Sequence, residues 1–175
     1  MIIENKESNF ERIKTPTGLQ HAVCSQIIDI GLQRTFFNGE DKVTHKMIIL
    51  FELEKRIEVG DFNGQRYLVS KKYTVSLHEK ATLLKDLNSW RGKAMTDDDK
   101  KHFDTDKLVG VNCFLNLMEK EKHDGGSFIE IASISPVPSG VVLIKPEYKE
   151  TPKWIQALID SQVKPEEKKP EEDIF

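Results

Sequence analysis

Five runs with the two-residue period of a strand, with one helical-period run between the third and the fourth, predict a mainly β fold for this 175-residue chain. The first strand-like run covers residues 19–32, where Ala22, Cys24, Ile28, Ile30 and Leu32 alternate with polar or small residues. A loop is expected over residues 33–43, with Asn38-Gly39 as its turn signal and Phe36-Phe37 exposed within it. Met47, Ile49, Phe51 and Leu53 mark a second strand, and Asn63-Gly64 is the strongest hairpin signal. Tyr67, Val69, Tyr73, Val75 and Leu77 continue as a third.

The period then changes. Leu83, Leu84, Leu87 and Trp90 fall at helical spacing between His78 and Arg91. Ser76 and Glu79 have the Ser-x-x-Glu spacing of a capping box, and Gly92 is placed to end the helix. Residues 93–108 read as polar loop with a short turn. Val109, Val111, Cys113, Leu115 and Leu117 give a fourth strand, residues 123–126 a tight turn, and residues 127–134 a fifth strand. Beyond Pro136 the patterning loosens, until Thr151-Pro152 introduces a short amphipathic helix carrying Trp154, Ile155, Leu158 and Ile159. Three strands, a helix and two strands is the order of the OB-fold, a five-stranded Greek-key barrel with a helix between strands 3 and 4. An open α+β sheet is the other architecture this order allows.

The implied organisation is a flexible arm over residues 1–17 and an OB-type domain over residues 18–144. A linker with the short helix follows over residues 145–163, then a disordered acidic tail over residues 164–175. The tail holds three lysines and five acids, and the remaining body, with 23 basic and 24 acidic side chains, is near neutral. No apolar run approaches the roughly 18 residues of a membrane span, and the start of the chain lacks a signal-peptide core, so a cytoplasmic protein is expected. Cys24 and Cys113 sit singly in strand-like runs and are expected to be buried, reduced thiols.

The sequence lacks a glycine-rich phosphate loop, GxSxG and HExxH, and its histidines are scattered, so no enzyme, metal or cofactor is expected. Asp97-Asp98-Asp99 with Lys100-Lys101 reads as a solvated acidic loop rather than a metal site. Binding features are better supported. Single strands are held by cations that track phosphates and by aromatic rings that stack on bases. On an OB barrel the binding surface lies over the middle strands, between the first and last hairpin loops. Arg34, Phe36, Phe37 and Lys42 fall in the first of these loops and Lys46 at the start of the second strand. Lys71, Lys72 and Tyr73 fall on the third strand, and Lys120 and Lys122 at the last hairpin. Tyr73 is in phase with Val75 and Leu77 and therefore also reads as core, whereas Phe114 is out of phase with its buried neighbours and is the better stacking candidate.

The chain ends Glu171-Glu172-Asp173-Ile174-Phe175, an apolar pair closing an acidic segment. That is the form of a peptide whose ring fills a partner's pocket while its carboxylates meet a basic rim. Such a tail after an OB-type body resembles the bacterial single-stranded DNA-binding proteins, although the proline before the last Phe and the longer aspartate run of that family are absent. The resemblance implies recruitment of replication or recombination proteins through the tail. The segment Tyr73-Thr74-Val75-Ser76-Leu77-His78-Glu79-Lys80-Ala81, with Trp90-Arg91-Gly92 and Phe103-Asp104, resembles small phage replication and recombination proteins that bind single strands. The expected function is therefore single-stranded DNA binding with little sequence preference. A protein–protein adaptor or minor virion protein built on the same barrel is the alternative, and a ring-forming strand-annealing protein is a third possibility.

Overall fold

The structure, a computed structural model, describes residues 13–164. Two unusually long strands dominate it. β1 (Gly18–Phe37) runs into β2 (Glu40–Arg56) through a two-residue turn at Asn38-Gly39, with φ of 51° and 78°. Asn and Gly tolerate positive φ at both central positions, which lets the turn match the twist of the ribbon. The expected 33–43 loop is therefore a paired β-ribbon with Phe36 opposite Asp41 and Phe37 opposite Glu40. By contrast, Asn63-Gly64 does not form a tight hairpin. It lies in a longer connection with a 3₁₀ turn at Gly60–Phe62, which leads into β3 (Arg66–Thr74).

β1 is shared between two ladders. Its first residues, Gly18 to Val23, pair with β4 (Asn112–Glu121), and Ala22 to Phe37 pair with β2. With β5 (Ser127–Ser135) the antiparallel sheet has five strands in the order β3-β2-β1-β4-β5. Among the described residues no ladder joins β3 to β5. Their edges nevertheless approach each other, because Lys71 Nζ lies 3.4 Å from the Ile131 carbonyl.

α1 (Thr82–Arg91) packs Leu83, Leu84, Leu87 and Trp90 onto one sheet face, with the Trp90 and Phe51 rings 5.6 Å apart. It ends as expected at Gly92, whose φ of 76° places it in the left-handed region. Its start differs from expectation. Ala81 is the N-cap and supplies no side-chain bond, while Ser76 Oγ accepts the His78 N–H within the preceding turn. A reciprocal capping box does exist, at Thr96 and Asp99, where it opens α2 (Asp97–Lys101). Asp97-Asp98-Asp99 is thus the first helical turn rather than a loop, a position the helix dipole favours for acids.

Two core clusters lie on opposite faces of the sheet. The main one contains Ala22 and Cys24 of β1; the second contains Ile28 and Ile30, with Ile48 of β2 and Ile155. Strict alternation would put all four β1 residues on one face. The ladder shifts register between Cys24 and Gln26, and this bulge changes the phase. A second shift between Asp29 and Gly31 needs glycine. Gly31 has φ of 69°, and a Cβ there would meet the Gln162 amide.

The second cluster is closed by α3 (Lys153–Asp160), with Ile155 fully buried and Leu158 and Ile159 beside it. Ile144, the last residue of the expected domain, and residues 145–150 of the expected linker form a strap crossing the same face. Ile144 is bound to Asn112, Lys145 O to Arg66, and Tyr148 O to Ser25. Beneath the strap, buried Glu52 accepts the Glu147 and Tyr148 amides. Leu50 and Ile48 are consequently buried as fully as Phe51 and Ile49, so the middle of β2 is covered on both faces. Among the described residues no helix is long and apolar enough to cross a membrane.

Candidate nucleic-acid interface

The outer face of β2 and β3 can be read from their register. Ile48 lies opposite Lys72 and Lys46 opposite Thr74, so the side chains at positions 46, 48, 72 and 74 share one face. Continuing along β2 in the same phase adds Lys42, and its partner pairs in the ribbon add Thr35 and Phe37. The middle of this face, where a strand-binding surface was expected, lies beneath the strap and α3. What stays open is its end, from Lys46 and Lys72 out along the ribbon.

Lys42, Lys46 and Lys72 converge there. No carboxylate lies within ion-pairing distance of any of them among the described residues. Lys46 Nζ donates to Thr74 Oγ1 at 2.6 Å. Partial burial, then the neighbouring charges of Lys72 and Lys42, hold its ammonium below the usual lysine range. This is a local concentration of like charge without a close ion pair among the described residues, with Glu40 the acidic side chain in the same phase of the ribbon. At the far end of the ribbon Phe36 and Phe37 are 76% and 74% exposed.

The other candidates are placed differently. Lys71 points to the opposite side of β3, where Nζ binds Asp86 at 2.6 Å. Tyr73 is a correction to the expected contact set: it is 2% exposed and its hydroxyl donates to the same Asp86 oxygen at 2.8 Å. Burial, followed by the Asp86 charge, pushes its phenol far above the ordinary range, and its ring has no open face for a base. Arg34 pairs with Asp41 across the ribbon at 3.0 Å, and Lys120 with Glu130 at 3.6 Å. Lys120 and Lys122 lie beyond Gly18, at the opposite end of β1 from the Asn38-Gly39 turn. Phe114 is half-buried, with one side against the His21 ring at a centroid distance of 5.4 Å. Glu171, Glu172, Asp173, Ile174 and Phe175 lie outside the described residues.

His21 locks the strap through Asn112. The Ile144 N–H donates to Asn112 Oδ1 while Asn112 Nδ2 donates to the Ile144 carbonyl, which fixes the amide orientation. His21 Nε2 must then be the donor to Asn112 Oδ1, with Nδ1 facing Glu54, each at 2.8 Å. The two cysteines are buried and form no disulfide, and burial raises the Cys24 thiol to about 12 and raises the Cys113 thiol as well.

A groove of about 600 Å³ extends this interface past the end of β3. Lys46, Lys72 and Thr74 form one wall, and Ser76, His78 and Lys80 of the segment before α1 form the other. Sequence reading missed the second wall because Ser76 was assigned to a helix cap and the segment has no period of its own. No family model matches the chain, and no curated protein matches it.

Proposed function

We propose that this chain is a single-stranded DNA-binding protein of phage type, a binding module and not an enzyme, acting in a host-cell cytoplasm without a cofactor. The observation that carries this reading is the convergence of Lys42, Lys46 and Lys72, unpaired among the described residues, on one face of a ribbon that ends in two exposed phenylalanines. Cations that follow phosphates, next to rings that stack on bases, bind strands with little regard to sequence. An OB-type architecture accords with the strand order, with the helix between β3 and β4, and with the approach of β3 to β5. Because the strap covers the middle strands, the strand is assigned to the ribbon end of the face. The acidic terminus is assigned the recruitment of replication or recombination proteins.

The test is fluorescence anisotropy with a labelled oligo-dT of about 30 nucleotides, long enough for the site sizes of such folds. Tight binding that weakens log-linearly with salt, and a much weaker duplex signal, is the expected result. Absence of binding at low salt overturns the reading. It would favour the protein-adaptor alternative, to which the exposed apolar residues Leu19, Met118 and Phe128 lend support.

A further inference from the structure

The groove beyond β3 has an unusual inventory of polar groups. Lys46, Lys72 and Lys80 carry ammonium groups into or around it, and among the described residues no carboxylate lines it. Ser76 Oγ already accepts the His78 N–H at 3.2 Å, which leaves its hydroxyl proton free to donate outward. His78 Nδ1 accepts the Lys80 N–H at 3.4 Å, so in the neutral ring Nε2 carries the proton and is also a donor. Thr74 Oγ1 accepts from Lys46 and likewise keeps its proton. Tyr73 borders the groove, but its hydroxyl is committed to Asp86 on the buried side. The walls therefore present donors and positive charge almost exclusively, and the complementary ligand is rich in acceptors and negatively charged.

Size narrows the class. About 600 Å³ is generous for a single small anion and suits a short stretch of linked phosphates. The repulsion among the lysines also has a direction, since an anion seated between Lys46 and Lys72 would relieve it.

We propose that the groove between the end of β3 and residues 76–82 is a phosphate-binding site for consecutive phosphates of a chain-like polyanion. Lys46 and Lys72 hold one side, and Lys80, Ser76 and His78 hold the other. Resting on the single-strand reading, this makes the groove the seat of the phosphodiester backbone, next to the bases stacked along the ribbon. Lys80, Ser76 and His78 are then contact residues outside the middle-strand face and both hairpins.

The chemistry is separable from the source of the phosphates. In the full chain, inorganic tripolyphosphate is titrated while backbone amide resonances are followed by NMR, and the same anion is used to displace labelled oligo-dT. The expected result is saturable shifts at Ser76, His78 and Lys80, with displacement of the oligonucleotide. K80Q and K46Q should each weaken both ligands and lower the salt-dependence slope for oligo-dT by about one. Both side chains reach a solvent-open groove, and unchanged thermal unfolding would show that each variant is folded. Oligo-dT binding that K80Q and K46Q leave unaltered, with no tripolyphosphate shifts at this segment, overturns the groove while leaving the ribbon reading intact. Tripolyphosphate binding without oligo-dT binding upholds the phosphate site and overturns nucleic acid as its source.

Discussion

The Glu52 carboxylate meets the Glu147 backbone N–H with both oxygens, at 3.0 and 2.9 Å, in a site where Glu52 is almost wholly buried. One oxygen also accepts from Tyr148 N at 3.1 Å. A buried carboxylate is tolerable only with such donors, and the donors in turn lose their partner if it is removed. Glu52→Ala is expected to destabilise the fold by about 2–4 kcal/mol, measured by urea unfolding, because two strap amides are left without an acceptor. An unchanged midpoint would mean the strap is not held here.

The second cluster gives an independent test of the same covering layer. Ile155→Ala should cost about 2–5 kcal/mol, as for other fully buried truncations. Loss of the helix would also uncover Ile28, Ile30 and Ile48, so binding of a hydrophobic dye is expected to rise with the variant.

Lys71 and Lys72 are adjacent, yet their roles are expected to differ. Lys72→Gln should weaken oligo-dT binding with little change in stability. Lys71→Met leaves Asp86 with the Tyr73 hydroxyl alone and should cost about 1–3 kcal/mol of stability. Tyr73→Phe should likewise lower stability, by about 1 kcal/mol, without altering DNA affinity. A selective loss of affinity in Tyr73→Phe would contradict the buried placement.

Phe36→Ala and Phe37→Ala remove exposed rings, so unfolding curves should overlay the parent. If each stacks on a base, affinity for oligo-dT falls by about 1–3 kcal/mol per ring. Phe114→Ala should instead reduce stability, through its packing on His21.

Acid stability should report the Arg91–Asp99 pair. The Arg91 guanidinium, aided by the Thr96 backbone and hydroxyl, holds the Asp99 carboxyl at about 2. A carboxyl whose folded value is depressed contributes stability above its unfolded value, near 4, and loses it as pH falls through the folded one. Arg91→Gln should bring the Asp99 carboxyl back toward its unfolded value, so that less stability is left to lose on acidification, seen as a smaller fall in Tm between pH 4 and pH 2.

How much of this was legible in the sequence depended on whether a signal was local. Met47, Ile49, Phe51 and Leu53 revealed the inward face of β2, and Gly92 the end of α1, because alternation and a left-handed cap are local properties. The bulge beyond Cys24 was not legible: no residue there announces an extra position, yet it sends Ile28 to the other face. The strap does have a local trace in the sequence. An uninterrupted Met47-Ile48-Ile49-Leu50-Phe51 run signals a strand covered on both sides. Which lysines are free was not a local matter either. Lys71 and Lys120 are paired with carboxylates that only the folded sheet brings near, whereas Lys46 and Lys72 find none among the described residues.

The pairing of β1 with α3 also shapes how the protein is made. Gln33 binds the Leu158 carbonyl across 125 positions, and Ile48 waits for Ile155 to cover it. A chain synthesised from its N-terminus exposes the outer surface of β1 and β2 until nearly all the described residues have left the ribosome.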